Sequence, residues 1–454
     1  MGLSIIILAA GQGTRMRSEL PKVLQPLAGK PLLSHVLACS RELAADDICI
    51  VYGHGAEAVQ ATYENESLRW ALQAEQLGTG HAMQQAMPGT PEGNRVLVLF
   101  GDVPLLMPAT LAVLLEETPE QEMAVLTVDM DDPTGYGRII RERGNVSCII
   151  EEKDASADEK AVKEINTGVL LCPADKLKAW LKDLSNDNAQ GEYYLTDVIA
   201  MAVNDKVTVH GIKASSPVEV MGINDKKQLA EAERALQARL VDELMKEGVG
   251  FADPARVDIR GSLKCGKDVF IDVNAIFEGD VELGDGVRIE SNNLIRDSRI
   301  GAGTVIHSNC HIEQSSTGNS CEIGPFARMR PGATLANNVK LGNFVEVKKS
   351  YIDDGSKVNH LTYIGDTEMG KSVNVGAGTI TCNYDGANKH KTTIADGVFI
   401  GSGVQIVAPL AIGKGATIGA GSTITKDAPD DQLTLARAKQ LSVRGWKKPV
   451  KKGS

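Results

Sequence analysis

Apolar positions along the chain follow two different rhythms. Up to about residue 225, short apolar runs alternate with helix-patterned segments. The runs at residues 4–9 (Ser-Ile-Ile-Ile-Leu-Ala), 47–51 and 95–100 show no strict in–out alternation, which predicts strands buried on both faces. Residues 32–43 carry the period of a helix between the first two runs. Strands and helices in turn predict a parallel sheet covered on both faces, an α/β nucleotide-binding architecture. Residues 226–247 lack Gly and Pro and are rich in Ala, Leu, Glu, Arg and Gln, which predicts one long helix. Beyond residue 252 an aliphatic side chain recurs every sixth position, as at Ile271, Phe277, Leu283 and Ile289, with Cys265 occupying one slot. The beat returns at Ile323, Met329, Leu335, Leu341 and Val347, and again at Ile394, Ile400, Ile406, Ile412, Ile418 and Ile424. Each hexad supplies one short strand and one turn, so stacked three-sided coils bury a continuous aliphatic column. Three domains' worth of pattern follow: 1–225, a linker helix at 226–248, and a repeat domain at 249–454 ending in a basic tail, Lys447 to Lys452. The beat is irregular over 306–320 and breaks at 381–393, where an insertion is expected to protrude as a loop.

Composition narrows the functional classes. A formal net charge of -11 over 454 residues argues against a large nucleic-acid footprint. No apolar run reaches the length that spans a bilayer, and the first has no basic segment before it, so a cytoplasmic protein without a membrane partner is expected. The eight cysteines are scattered and form no Cys-x-x-Cys pair, which favours buried free thiols over disulfides or zinc.

The first strand runs into Leu8-Ala9-Ala10-Gly11-Gln12-Gly13-Thr14-Arg15, and Pro21-Lys22 follows. A Gly-rich turn after a strand offers backbone N–H groups to an anion, and two cations beside it suit a triphosphate. It is neither a Walker loop nor a dinucleotide fingerprint. Together with Gln73, Gln76-Leu77-Gly78-Thr79, Phe100-Gly101-Asp102, Gly137, Glu151, Asn166 and Gly222-Ile223-Asn224, the string resembles the sugar-1-phosphate nucleotidyltransferases, in particular those that make UDP-N-acetylglucosamine. The reaction sets anion against anion, so an enzyme must position the reactants and neutralise charge. The resemblance implies Mg²⁺ on Asp102 and Asn224 and phosphate contacts from Arg15 and Lys22. It places UTP and the nucleotide sugar on Leu8, Ala9, Ala10, Gly11, Lys22, Gln73, Gly78, Thr79, Phe100, Gly101, Asp102 and Asn224, with the sugar end on Gly137, Glu151 and Asn166.

In the repeat domain, off-pattern polar residues stand out. Arg330 and Lys348 are 18 positions apart, so they stack one coil above the other, with Asp366 expected above them. His360 and Tyr363 fall near the next corner. A cationic patch beside a histidine suits a sugar phosphate whose amine needs a general base, the role expected of His360. The repeat is similar to the left-handed β-helix of the hexapeptide-repeat acyltransferases. The whole chain thus resembles a bacterial family of bifunctional enzymes that acetylate glucosamine 1-phosphate and couple N-acetylglucosamine 1-phosphate to UTP. The resemblance implies glucosamine 1-phosphate contacts from Arg330, Lys348, Tyr363 and Asn374. It implies acetyl-CoA contacts from Ala377, Asn383, Tyr384, Ser402, Ala420 and Arg437, and homotrimers that share acetyl sites. Two rivals are a nucleotidyltransferase whose β-helix serves only assembly, and a non-enzymatic scaffold. The first predicts no His360, Lys348 and Arg330 cluster, and the second predicts loss of Arg15, Lys22 or Asp102; all six residues are present.

Overall fold

The structure, a computed structural model, describes residues 2–53 and 55–451. The chain divides into two compact units, one ending at Leu236 and the other starting at Gln237. The division falls inside the long helix Lys226–Lys246, so the predicted linker belongs partly to each unit.

In the first unit, Leu3–Leu8 lies inside the sheet, paired in parallel with Asp47–Tyr52 on one side and Arg95–Phe100 on the other. Successive side chains point to opposite faces of a strand. Ile5 and Ile7 therefore join one apolar layer with Leu97 and Leu99, while Ile6 and Leu8 join another with Val96 and Val98. The helix Leu32–Glu42 covers the first layer through Leu33, Val36 and Leu37. The helix Thr79–Ala86 covers the second through Ala82, Met83 and Ala86. Both faces are covered, which is why these strands read as unbroken apolar runs.

The sheet is mixed rather than parallel throughout. Glu164–Pro173 runs antiparallel between Arg95–Phe100 and Met123–Asp129. Its first half reads as polar and Gly-broken because the register slips between Asn166 and Leu170, a bulge that holds Gly168 at φ 87°. A hairpin of Arg138–Glu142 and Asn145–Ile150 is attached to the same strand.

The second unit is a parallel β-helix, each strand hydrogen-bonded to strands one coil away. Ile271, Ile289, Ile306, Ile323, Leu341, Val358, Ile400 and Ile418 are all fully buried in its core. Each such side chain contributes roughly 1.5–3 kcal/mol. The irregular stretch is an ordinary coil with a shorter step: Ile289 pairs with Ile306 and Ile306 with Ile323, 17 residues on, whereas Ile323 pairs with Leu341, 18 on. Thr317 takes an aliphatic slot there, 9% exposed. One coil is longer: Val358 pairs with Val375, but Val375 pairs with Ile400, and the extra residues form the expected loop between Cys382 and Thr392. The C-terminal half of the long helix closes the first coil. Val241 and Leu244 pack on its core, and the buried Gln237 amide donates to Ile259 O at 2.8 Å and accepts from Ile259 N at 2.7 Å.

The eight cysteines form no disulfide; five are buried, while Cys148, Cys265 and Cys382 are half-buried. Among the described residues no helix is long and apolar enough to cross a membrane. The tail is exposed and irregular through Lys451, and Lys452 lies outside the described residues.

Candidate functional sites

A cavity of about 300 Å³ opens at the carboxyl edge of the first unit's sheet, where Leu8 and Phe100 end adjacent strands. Ligands of open α/β sheets bind at this edge. Leu8, Ala9, Ala10, Gly11, Lys22, Gln73, Gly78, Thr79, Phe100 and Asp102 all line it. Lys22 is its chemical centre. Its ammonium donates to the Asp102 carboxylate and, at 3.2 Å, to Asn224 Oδ1. A carboxylate and an amide oxygen thus converge on one positive charge, a hard-oxygen pair of the kind Mg²⁺ takes alongside substrate phosphates. Ile223 N donates to Asp102 O at 2.9 Å, which ties the segment carrying Asn224 to the one carrying Asp102. Gly13 (φ 62°) makes room for this lysine, since a Cβ there would stand 2.7 Å from Lys22 Cβ. Arg15 follows on the exposed turn and does not line the cavity. At the other wall Gln73, 3% exposed, donates to Gly78 O at 3.0 Å. Thr79 Oγ1 accepts from Leu195 N at 3.1 Å.

A second compartment of about 100 Å³ shares Thr79 and Phe100 with the first. Its lining is apolar (Val125, Ile149, Leu170, Leu195 and Ile199) with Glu151, Asn166 and Thr196 as polar groups. Burial raises the Glu151 carboxyl above the usual range, opposed by the Thr196 hydroxyl, which donates to it at 3.2 Å. Gly137 backs this carboxyl: a Cβ there would lie 2.9 Å from Ile149 and 3.4 Å from the Glu151 oxygens. Gln76, from the motif that holds Gly78 and Thr79, lines the first compartment as well, and Glu192 and Thr196 line the two compartments without having been singled out in the sequence. These two stand on one segment that carries no motif of its own.

On the β-helix, Arg328–Met329 pairs with Glu346-Val347, which places Lys348 one coil above Arg330. Above Lys348 the partner is Gly365, not Asp366, because that coil has 17 residues rather than 18. Arg330 donates to Glu346 at 2.8 Å, and that contact holds its guanidinium above the usual range. Lys389, on the protruding loop, crowds Lys348 and, ahead of burial and Arg330, holds its ammonium below the usual lysine range. Three cations therefore converge, and the loop lysine was not visible from coil spacing. Asn383, on the same loop, donates to Asp366 at 2.5 Å and to the Tyr363 hydroxyl at 3.4 Å. Gly365 admits this contact, since a Cβ would meet Tyr363 Oη at 2.4 Å.

His360 lies on the other side of the corner at Leu361, with its Nδ1 2.8 Å from Asn343 Oδ1. Above it rises a straight ladder. Gly378 N donates to His360 O, Gly403 N to Ala377 O and Gly421 N to Ser402 O, so His360, Ala377, Ser402 and Ala420 occupy the same corner position on successive coils. At about 4.8 Å per strand the ladder is about 14 Å long. Arg437 ends it, donating to Ala420 O at 2.7 Å. Tyr384 is exposed on the loop. Asn374 stacks above Lys357, on the His360 side of the corner rather than with Arg330, Lys348 and Tyr363.

Sequence comparison agrees with both halves. Residues 5–177 match the family model of the MobA-like NTP transferase domain, and residues 391–426 match the bacterial transferase hexapeptide (six repeats). The fold and these matches define a nucleotidyltransferase joined to a hexapeptide-repeat transferase. The chain is 58% identical over 450 residues to the bifunctional protein GlmU of Azoarcus sp. (strain BH72), covering 99% of this chain and 100% of that one. It is 57% identical to that of Aromatoleum aromaticum (99% of each chain) and 54% identical to that of Herminiimonas arsenicoxydans (99% of each). The chain belongs to the bifunctional GlmU family.

Proposed function

We propose that the β-helix transfers acetyl from acetyl-CoA to glucosamine 1-phosphate, and that the N-terminal unit transfers uridylyl from UTP to N-acetylglucosamine 1-phosphate. The observation that carries this reading is the pairing, in one chain, of a cation-bridged Asp102–Asn224 pair with a cluster of Arg330, Lys348 and Lys389 on the coils that also carry His360.

In uridylyl transfer, an oxygen of the sugar phosphate attacks the α-phosphorus of UTP and pyrophosphate leaves. Lys22 neutralises phosphate charge inside the cavity, and Arg15 adds a second positive charge from its exposed turn. Asp102 and Asn224 would hold Mg²⁺, which when bound supplies positive charge to the triphosphate. Gln73, Gly78 and Thr79 read the uracil, and Gly137, Glu151 and Asn166 hold the sugar.

In acetyl transfer, His360 takes a proton from the neutral glucosamine amine as its nitrogen attacks the thioester carbonyl. The C–N bond forms, the C–S bond breaks, and the departing thiolate takes that proton, so coenzyme A leaves as the thiol. Arg330, Lys348 and Lys389 hold the phosphate, with Tyr363 and Asn374 on the sugar. Ala377, Ser402 and Ala420 form the floor along which acetyl-CoA extends, with Asn383, Tyr384 and Arg437 at its edges. The corner beside His360 supports a homotrimer. Phe326, Phe344 and Leu361 are exposed there on successive coils at positive φ, the two rings stacked 5.3 Å apart. Bulky side chains rarely take that backbone conformation, and an exposed apolar ladder suits another copy of the chain. The expected compartment is the cytoplasm.

The test supplies glucosamine 1-phosphate, acetyl-CoA, UTP and Mg²⁺, and reads free thiol and pyrophosphate separately. Both products should form, and omitting acetyl-CoA should silence pyrophosphate. Pyrophosphate from supplied N-acetylglucosamine 1-phosphate without thiol release from glucosamine 1-phosphate would make the β-helix an assembly device only.

A further inference from the structure

We infer that Asn343 is the positioning residue of His360, fixing the tautomer that lets its Nε2 act as base; this rests on the acetyl-transfer reading above. The two residues are direct neighbours across coils: Asn343 pairs with His360 in the parallel ladder between Lys340–Lys348 and Lys357–Gly365. Both strands are nine residues long and continue through the corner, where Phe344 and Leu361 each take positive φ. The corner geometry is thus repeated from one coil to the next, and it carries the side chains before it into the same relation. The Asn343 amide oxygen stands 2.8 Å from His360 Nδ1. A carbonyl oxygen only accepts, so Nδ1 carries the hydrogen and Nε2 is left with its lone pair. A base holding its proton on the wrong nitrogen could not take one from the amine.

The charged groups around the imidazole support a neutral partner. Lys340 and Lys357 line the same groove as Asn343 and His360, and Lys340 is ion-paired to Glu322 at 2.5 Å. Tyr363 follows three residues later on the same strand. The bond partner itself carries no charge. It orients the ring and accepts a hydrogen bond from the group that gains charge in the reaction. A carboxylate at 343 would add a negative charge to that contact.

The experiment measures pH profiles of thiol release by the full chain and its Asn343→Ala, Asn343→Asp and His360→Ala variants, with melting temperature recorded for each. Asn343→Ala should lower kcat about ten- to hundredfold, the kinetic equivalent of that hydrogen bond, with KM for glucosamine 1-phosphate unchanged. Asn343→Asp keeps an acceptor and should retain most of the activity at alkaline pH, with the acid limb of the profile moved to higher pH. A purely structural role would move melting temperature or KM and leave the acid limb in place. If His360→Ala is inactive while both Asn343 variants match the parent in kcat and profile, the positioning role is wrong and the assignment of His360 stands. If His360→Ala retains thiol release, the underlying reading of the site fails.

Discussion

Gly168→Ala perturbs the wall between the two compartments of the N-terminal site. Gly168 has φ 87°, and a Cβ placed on it would stand 2.5 Å from Phe100 Cε2 and 2.9 Å from Cζ. Carbon atoms need about 3.5–4.0 Å, so the ring must retreat by roughly 1 Å. Phe100 lines both compartments, which leaves it no direction that spares the site. The left-handed backbone costs an L-residue about 1–2 kcal/mol, and overpacking costs about 1–3 kcal/mol, for a total of roughly 2–5 kcal/mol. The variant should unfold its N-terminal unit at distinctly lower temperature and denaturant concentration. Pyrophosphate release should show a raised KM for both UTP and N-acetylglucosamine 1-phosphate, while thiol release from the β-helix keeps its parent kinetics. A variant with parent stability and parent KM values would refute the reasoning that the ring is clamped.

Glu151→Gln should stabilise the first unit, and more so as pH rises. Burial raises the native carboxyl, so its contribution is fully present below the ordinary carboxylate range and is lost as pH rises through the raised native value. Gln keeps an acceptor for Thr196 and never ionises, so melting temperatures of the two proteins should converge in acid and separate toward neutral pH; a gap that does not change with pH would contradict this. The same variant should bind N-acetylglucosamine 1-phosphate more weakly. Chelation by EDTA should stop pyrophosphate release and leave thiol release intact, and loss of both would contradict the assignment of the metal to Asp102 and Asn224. Phe326→Asp with Phe344→Asp should lower the sedimentation mass of a trimeric assembly toward that of one chain, and an unchanged mass would remove this corner from the interface.

Much of this was legible in the sequence because its physics is periodic. The buried column at Ile271, Ile289, Ile400 and Ile418 repeats where the hexad beat placed it. The helix Lys226–Lys246 and the strand Arg95–Phe100 fall within a residue of their patterns. The cavity collects most of the N-terminal motif from Leu8 to Asp102, while Arg15 and Gly101 are not among its lining residues. Other features were hidden for identifiable reasons. Thr317 in an aliphatic slot masked a regular coil, and the 17-residue coils moved Asp366 off the column of Lys348. Glu164–Pro173 was obscured by the bulge at Asn166 to Leu170, where Gly168 breaks the strand pattern. Lys389 approaches Lys348, and Asn383, expected on acetyl-CoA, reaches Asp366, through a loop that folds back onto earlier coils, a relation that no spacing along the chain encodes. Phe326 and Phe344 fall between the slots of the six-residue beat, and with Leu361 they are turned outward by the corner geometry.

The central claim is that one chain carries two separate chemistries, and paired variants test it most directly. Asp102→Asn and His360→Ala would each be assayed for thiol release from glucosamine 1-phosphate and for pyrophosphate release from N-acetylglucosamine 1-phosphate. Asp102→Asn should lose about 10²–10³-fold in pyrophosphate release, the scale of one missing electrostatic contact to the transition state, with thiol release unchanged. His360→Ala should do the reverse. Loss of both activities in either variant, with the fold intact, would contradict the two-site account.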